Sequence, residues 1–208
     1  MLQKYFIFMI WLMGSLGPRT SLASPLEPPP LDADNARILL EISLFPDDLV
    51  WTDWLFPLTL GPDAPVRERE ALEALAVAGI LQREPLMVRQ NGPEGDVHLQ
   101  GGWLYRIDPR QPALRQDDGE WLLYGRGRVL GVPQISAPVW KDPYWYVEAE
   151  LAWCVEQPAR WLALAGVRAL YQARRSLESC QRPFHRSVYF QYDGRHWGYW
   201  QMEPATDR

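Results

Sequence analysis

The stretch Tyr144–Trp153, YWYVEAELAW, alternates along its whole length. Trp145, Val147, Ala149, Leu151 and Trp153 fall on one side, and Tyr146, Glu148 and Glu150 on the other. Successive side chains of a strand point to opposite faces, so this period of 2 predicts a strand with one dry face and one wet face. A strand of that kind belongs to an antiparallel sheet covered on one side only. The sequence around it reads the same way. Glu120–Tyr124 and Arg128–Val132 are expected strands, broken by Gly125 and Gly127. Ser187–Tyr192 and His196–Gln201 flank Asp193-Gly194, the dipeptide favoured in a two-residue type I′ hairpin. Pro158 suits a first helical position, and the wide apolar stripe of Ala159–Leu177 predicts one long helix.

The first half is more helical. Ser24–Leu31, SPLEPPPL, cannot form helix or central strand and reads as an extended Pro-rich linker. Asp32 or Asp34 is placed to cap a helix whose stripe is Ile38, Leu39, Ile42 and Leu44, stopping near Phe45-Pro46. The Pro-punctuated segment LVWTDWLFPLTLGPDAP is expected to be a packed, irregular connection. From Val66 a second helix carries Leu72, Leu75, Ala76 and then Ile80 on one face, with Gly79 as its left-handed stop and Ile80-Leu81 continuing into a strand. Pro85–Arg89 and Gly102–Ile107 then read as a hairpin around a polar loop containing NGPEGD.

Compartment is written at the front. Lys4 precedes an apolar run from Tyr5 to about Gly17, followed by Pro18 and the small-residue site Ser21-Leu22-Ala23. That is the layout of a secretory signal peptide over residues 1–23, with cleavage expected after Ala23. The apolar run falls short of the roughly 20 residues that span a bilayer, although a retained leader acting as an anchor is the alternative. Removing Lys4 and Arg19 takes the net charge of the 208-residue chain from −5 to −7. An acidic balance argues against a general nucleic-acid binder. Acids outnumber bases before Arg160 and bases outnumber acids after it. Lys141 is the one lysine after the leader, which all but removes lysine-based chemistry. The chain has 2 cysteines, Cys154 and Cys180, and in an oxidising compartment the even count favours a disulfide over two free thiols.

ALEALAVAGILQRE, a hairpin and then WLYRIDPRQPAL together resemble the C-terminal half of a winged-helix module. That family has a helix of the form xxLxxLxxxGLIxR leading into a wing that ends in YxLT. Leu72, Leu75, Gly79, Ile80, Leu81 and Arg83 fit the first pattern, and Tyr105, Arg106, Ile107 and Asp108 the second. The resemblance implies a scaffold. DNA binding would need a basic helix face and cationic wing tips, whereas Glu68, Glu70 and Glu73 stand against Arg67 and Arg69, and the wing loop carries Glu94 and Asp96. The fold is therefore expected without its usual function. More loosely, Tyr124-Gly125, Val129, Tyr144–Val155, Pro158–Trp161 and Gly194–Trp197 are similar to the outline of uncharacterised exported bacterial proteins, a resemblance that implies export and supplies no activity.

Few residues invite chemistry. Gly125–Gly131, GRGRVLG, misplaces the third glycine of a dinucleotide loop and lacks a following helix, so a bulged strand is expected. Cys154, Cys180, His185 and His196 have no zinc-type spacing and would compete with the disulfide; His98 is expected to be solvated. Glu148 and Glu150 read as a solvated strand face rather than a catalytic pair. No GxSxG, HExxH or Cys–His signature occurs, and no cofactor or metal is expected. Two surfaces remain. Arg160, Arg168, Arg174, Arg175, Arg182 and Arg186 form either a solvated helix end or a docking surface for an acidic partner. Trp197, Tyr199 and Trp200 put aromatics on both faces of the last hairpin, so part of that set is expected to be exposed.

The expectation is an α+β chain with a winged-helix-like region over residues 32–115 and an antiparallel sheet with one long helix over 116–208. It is expected to be a non-enzymatic periplasmic or secreted envelope protein, with no membrane span after cleavage and no nucleic acid partner. An envelope protein or an anionic surface would be met through Arg168, Arg174, Arg175, Trp197 and Trp200. A winged-helix DNA-binding regulator and a carbohydrate-binding or hydrolytic envelope protein are the rivals.

Overall fold

The computed structural model describes residues 26–45, 48–91 and 97–201. The leader and the loop bearing Glu94 and Asp96 lie outside them. Helices and antiparallel strands are mixed along the chain. Helix α1 spans Ala33–Leu44, and Asp32 caps it by accepting from the Asn35 amide at 2.8 Å. Strands β1 (Asp48–Val50) and β2 (Leu58–Leu60) follow, with Trp51, Trp54 and Phe56 buried between them. The segment read as irregular is thus packed, and it also contributes an edge to each sheet.

Helix α2, Val66–Val77, buries Ala71, Leu72 and Leu75. It ends as expected: Gly79 adopts φ 72°, the Gly79 amide donates to the Ala76 carbonyl at 3.0 Å, and the Ile80 amide reaches back to Leu75 at 2.9 Å. This pair of bonds is a Schellman cap, which needs a residue at positive φ and so favours glycine. Strands β3 (Leu81–Asn91) and β4 (Val97–Ile107) pair in register from Leu81↔Ile107 to Asn91↔Val97, a hairpin longer at both ends than its sequence signal. With β2 they form a three-stranded sheet, order β2-β4-β3. The base of the hairpin is locked by buried Asp108, whose carboxylate accepts from the Arg110 amide and side chain at 2.9 Å and from Gln82 at 3.3 Å.

Strand β5 (Ala113–Gln116) leads into β6 (Gly119–Ile135). Here the sequence expectation fails: β6 runs unbroken through Gly125 and Gly127. At Gly127 a Cβ would meet the Phe45 ring at 1.9 Å, so glycine admits the ring from α1's end rather than interrupting the strand. Register slips on the β8 side of β6 make it the bulged strand anticipated for the GRGRVLG segment. Strands β7 (Val139–Lys141), β8 (Tyr144–Glu156), β9 (Phe184–Tyr192) and β10 (Trp197–Trp200) complete a large antiparallel sheet, order β1-β6-β8-β9-β10, with β5 on β6 and β7 on β8. The β9–β10 connection has four residues, 193–196. The Asp193 carboxylate accepts from the Arg195 and His196 amides at 2.8 and 2.9 Å, which stabilises a wider turn than the type I′ form.

The long helix is also corrected. Arg160–Ala163 is a 3-10 turn, followed by the short helices α3 (Ala165–Arg168) and α4 (Tyr171–Glu178). Leu164 and Leu170 separate them in extended conformation, with ψ 137° and 136°. The breaks let Trp161, Leu162, Val167 and Ala173 all reach one core, which a single straight stripe would not.

Two hydrophobic clusters result. The first joins Trp51, Trp54, Phe56, Leu72, Leu75, Tyr105, Leu122, Tyr124 and Trp161, and so draws on residues from both sides of position 115. The second lies under α1, where Ala36 and Leu40 cover Val129, Val147, Leu151, Phe190 and Trp197. Ile38 and Ile42, expected on the buried stripe of α1, are instead exposed.

Candidate functional site

The arginine and tryptophan surface divides. Arg168 and Arg174 are exposed, and the Arg174 guanidinium lies 6.0 Å from the ring of Tyr171, itself 70% exposed. Neither arginine has an acidic partner among the described residues, in contrast to Arg37–Glu41, Arg126–Asp48 and Arg128–Glu156. Arg175 is differently placed. It donates to the carbonyls of Arg182 and Pro183 at 2.9 and 3.4 Å and lies 4.5 Å from the Phe184 ring, so it ties the end of α4 to the start of β9. Trp197 is buried, and its Nε1 donates to the Pro29 carbonyl at 2.9 Å. It anchors residues of the Pro-rich stretch to the sheet. Trp200 is half-buried on the opposite face, edge-on to Tyr146 and Tyr189 at 5.2 and 6.5 Å. The five residues therefore do not form one patch.

Cys154 and Cys180 are joined by a disulfide with Cα atoms 4.9 Å apart. Next to it the Ser179 hydroxyl accepts from the Val155 amide at 2.9 Å and donates to the Ser176 carbonyl at 2.7 Å. Helix α4 is thus fastened to β8 by one covalent bond and one buried hydrogen-bond relay. Both thiols are consumed, leaving His185 and His196 without cysteine companions for a metal. Among the described residues no three His, Cys, Asp or Glu side chains come together to hold an ion, and no helix is long and apolar enough to cross a membrane.

The outer face of the large sheet holds a cleft of about 590 Å³ that the sequence did not assemble. Glu148 and Glu150 of β8 form its floor, with Gln134 from β6, Ser136 just beyond it, and His185, Arg186 and Ser187 from β9. His185 Nδ1 meets Glu150 Oε1 at 2.7 Å, while the Ser136 hydroxyl accepts from the Glu148 amide at 3.0 Å. Glu148, His185 and Ser187 are exposed, so the cleft offers hydrogen bonds in an open, wet setting. The signal that could have found it is the weaker alternation of His185, Ser187, Tyr189 and Gln191, which β9 places on the same face as the two glutamates.

A second cleft, about 480 Å³, runs between α2 and the β3–β4 hairpin, lined by Leu60, Val66, Glu70, Glu73, Trp103 and Tyr105. Glu73 pairs with Arg83, which lies 4.6 Å from the Trp103 ring. Burial beside Glu73 pushes the Tyr105 phenol up, so it stays a neutral hydroxyl. Compared with known proteins, the chain matches no family model, no curated protein and no solved structure.

Proposed function

We propose that this chain is an exported, non-catalytic protein of the cell envelope, periplasmic or secreted, that works through protein contacts. The observation that carries the reading is the Cys154–Cys180 disulfide fastening α4 onto β8, because such bonds persist in oxidising compartments. The leader-like residues 1–23 support it from the sequence. The contact surface is Arg168, Tyr171 and Arg174, where an exposed ring beside Arg174 and two guanidiniums without an acidic partner among the described residues stand on an otherwise acidic protein. Arginine and tyrosine are favoured in contact surfaces of this kind, and an acidic protein face is the complementary partner.

Within this reading α2, its Gly79 cap and the β3–β4 hairpin are a winged-helix-like scaffold turned to support. Glu70 and Glu73 outnumber Arg69 in the groove beside α2, a balance that disfavours the DNA-binding alternative.

The test is intact mass of the protein extracted from the periplasm, with and without reductant. The expected species begins at Ser24 and gains two hydrogens on reduction. A full-length reduced chain in the cytoplasm overturns the proposal, and a duplex affinity that falls steeply with salt restores the regulator.

A further inference from the structure

The outer face of the large sheet is a regular grid of side chains. Gln134 stands opposite Glu150, and Glu150 opposite Ser187. One step along, Glu148 faces Tyr189, and Tyr189 faces Trp200. The next row sets Tyr146 opposite Gln191 and Gln191 opposite Gly198, where a Cβ would meet nothing within 4 Å. Directly paired residues share a face at about 5 Å spacing. One surface therefore carries a polar cleft and, against it, an aromatic wall with a gap at Gly198.

The chemistry on offer is specific in kind. Carboxylates accept from hydroxyl donors, while Gln134, Ser187 and Gln191 both donate and accept. The carboxylate of Glu148 has no partner among the described residues, and Glu150 spends one bond on His185. The rings of Tyr146 and Tyr189 each stand edge-on to Trp200, and the three form a fixed apolar wall. A ligand matching both halves must have many hydroxyls and an apolar C–H face, which describes a saccharide. Two glutamates against Arg186 leave the lining acidic on balance, which disfavours an anion. An extended peptide adding to a sheet needs free backbone groups, but the floor strand β8 is already paired with β6 and β9.

We propose that this face binds a neutral glycan, with Glu148, Glu150, Ser187 and Gln134 taking its hydroxyls and Tyr189 and Trp200 flanking a sugar ring. The site is separate from the Arg168–Tyr171–Arg174 surface and stands or falls without it.

The test uses the disulfide-bonded protein on a panel of immobilised glycans, then titration with oligosaccharides of N-acetylglucosamine, cellulose and maltose types, read by tryptophan fluorescence and calorimetry. Saturable binding of at least one neutral glycan is expected. Glu148→Gln and Ser187→Ala, both at exposed positions, should each weaken it about tenfold, the loss of one well-made hydrogen bond. Trp200→Ala should abolish the fluorescence change; if that variant fails to fold, the two exposed variants still decide. Arg174→Ala should leave glycan binding unchanged. The proposal is overturned if no glycan binds with a Kd below about 10 mM, if binding survives Glu148→Gln and Ser187→Ala at full strength, or if oligolysine binds where no glycan does.

Discussion

Gly166 of α3 lies against the carbonyl of Glu70 in α2, so close that a β-carbon there would sit 2.5 Å from the oxygen. The contact joins α2 to the helical turns that follow β8. Gly166→Ala must push the two helices apart, and overpacking of this kind costs about 1–3 kcal/mol. Gly198→Ala, facing open space, should stay within about 0.5 kcal/mol of the parent. Urea denaturation of both variants checks the contrast. Equal stability would show that α2 and α3 do not meet as described.

Adjacent arginines on α4 should behave differently. Arg175→Ala removes two hydrogen bonds to carbonyls and the stacking on Phe184, and a loss of about 1–2 kcal/mol is expected. Arg174→Ala should leave the melting temperature within a degree or two, since exposed substitutions cost less than about 0.5 kcal/mol. Affinity for an acidic partner should fall in the Arg174 variant alone. Two equal melting curves would contradict the division.

The disulfide closes a loop with a sequence separation of 26. On chain-entropy grounds a loop of that size contributes about 3–4 kcal/mol. Replacing both Cys154 and Cys180 by alanine should lower unfolding free energy by that order, and reductant should then have no further effect. A double variant as stable as the parent would remove the bond as a structural element.

Asp108 makes stability depend on acid. Hydrogen bonds from the Arg110 side chain and amide hold its carboxyl well below the usual carboxylate range. A group whose folded pKa is depressed stabilises the fold above its unfolded value, about 4, and that contribution is lost as the pH falls below it toward the folded value. Arg110→Ala should therefore lower the melting temperature at pH 7, and the gap from the parent should close as the pH approaches 2. A gap that is constant with pH would assign Arg110 a packing role only.

What the sequence by itself determined are the features fixed by local physics. Alternation placed β8 and its dry face, Asp32 or Asp34 marked the start of α1 (the structure uses Asp32), and Gly79 stopped α2 because a left-handed residue is needed there. Two cysteines outside a zinc spacing paired with each other. Tertiary structure decided the rest, since each remaining point turns on what a segment packs against. Ile38 and Ile42 have the hydrophobicity of a buried stripe, yet α1 presents Ala36 and Leu40, whose smaller or better placed side chains let the helix lie close on the sheet. The stripe of Ala159–Leu177 is apolar enough for one helix, but a core bounded by Trp51 and Tyr124 is reached only if Leu164 and Leu170 bend the chain. Gly125 and Gly127 look like breaks until Val155 and the Phe45 ring, respectively, are seen occupying the space a side chain would take. The polar cleft was the least legible of all. Glu148 and Glu150 are two residues apart, but His185 and Ser187 come from another strand, and only the β8–β9 register sets them side by side.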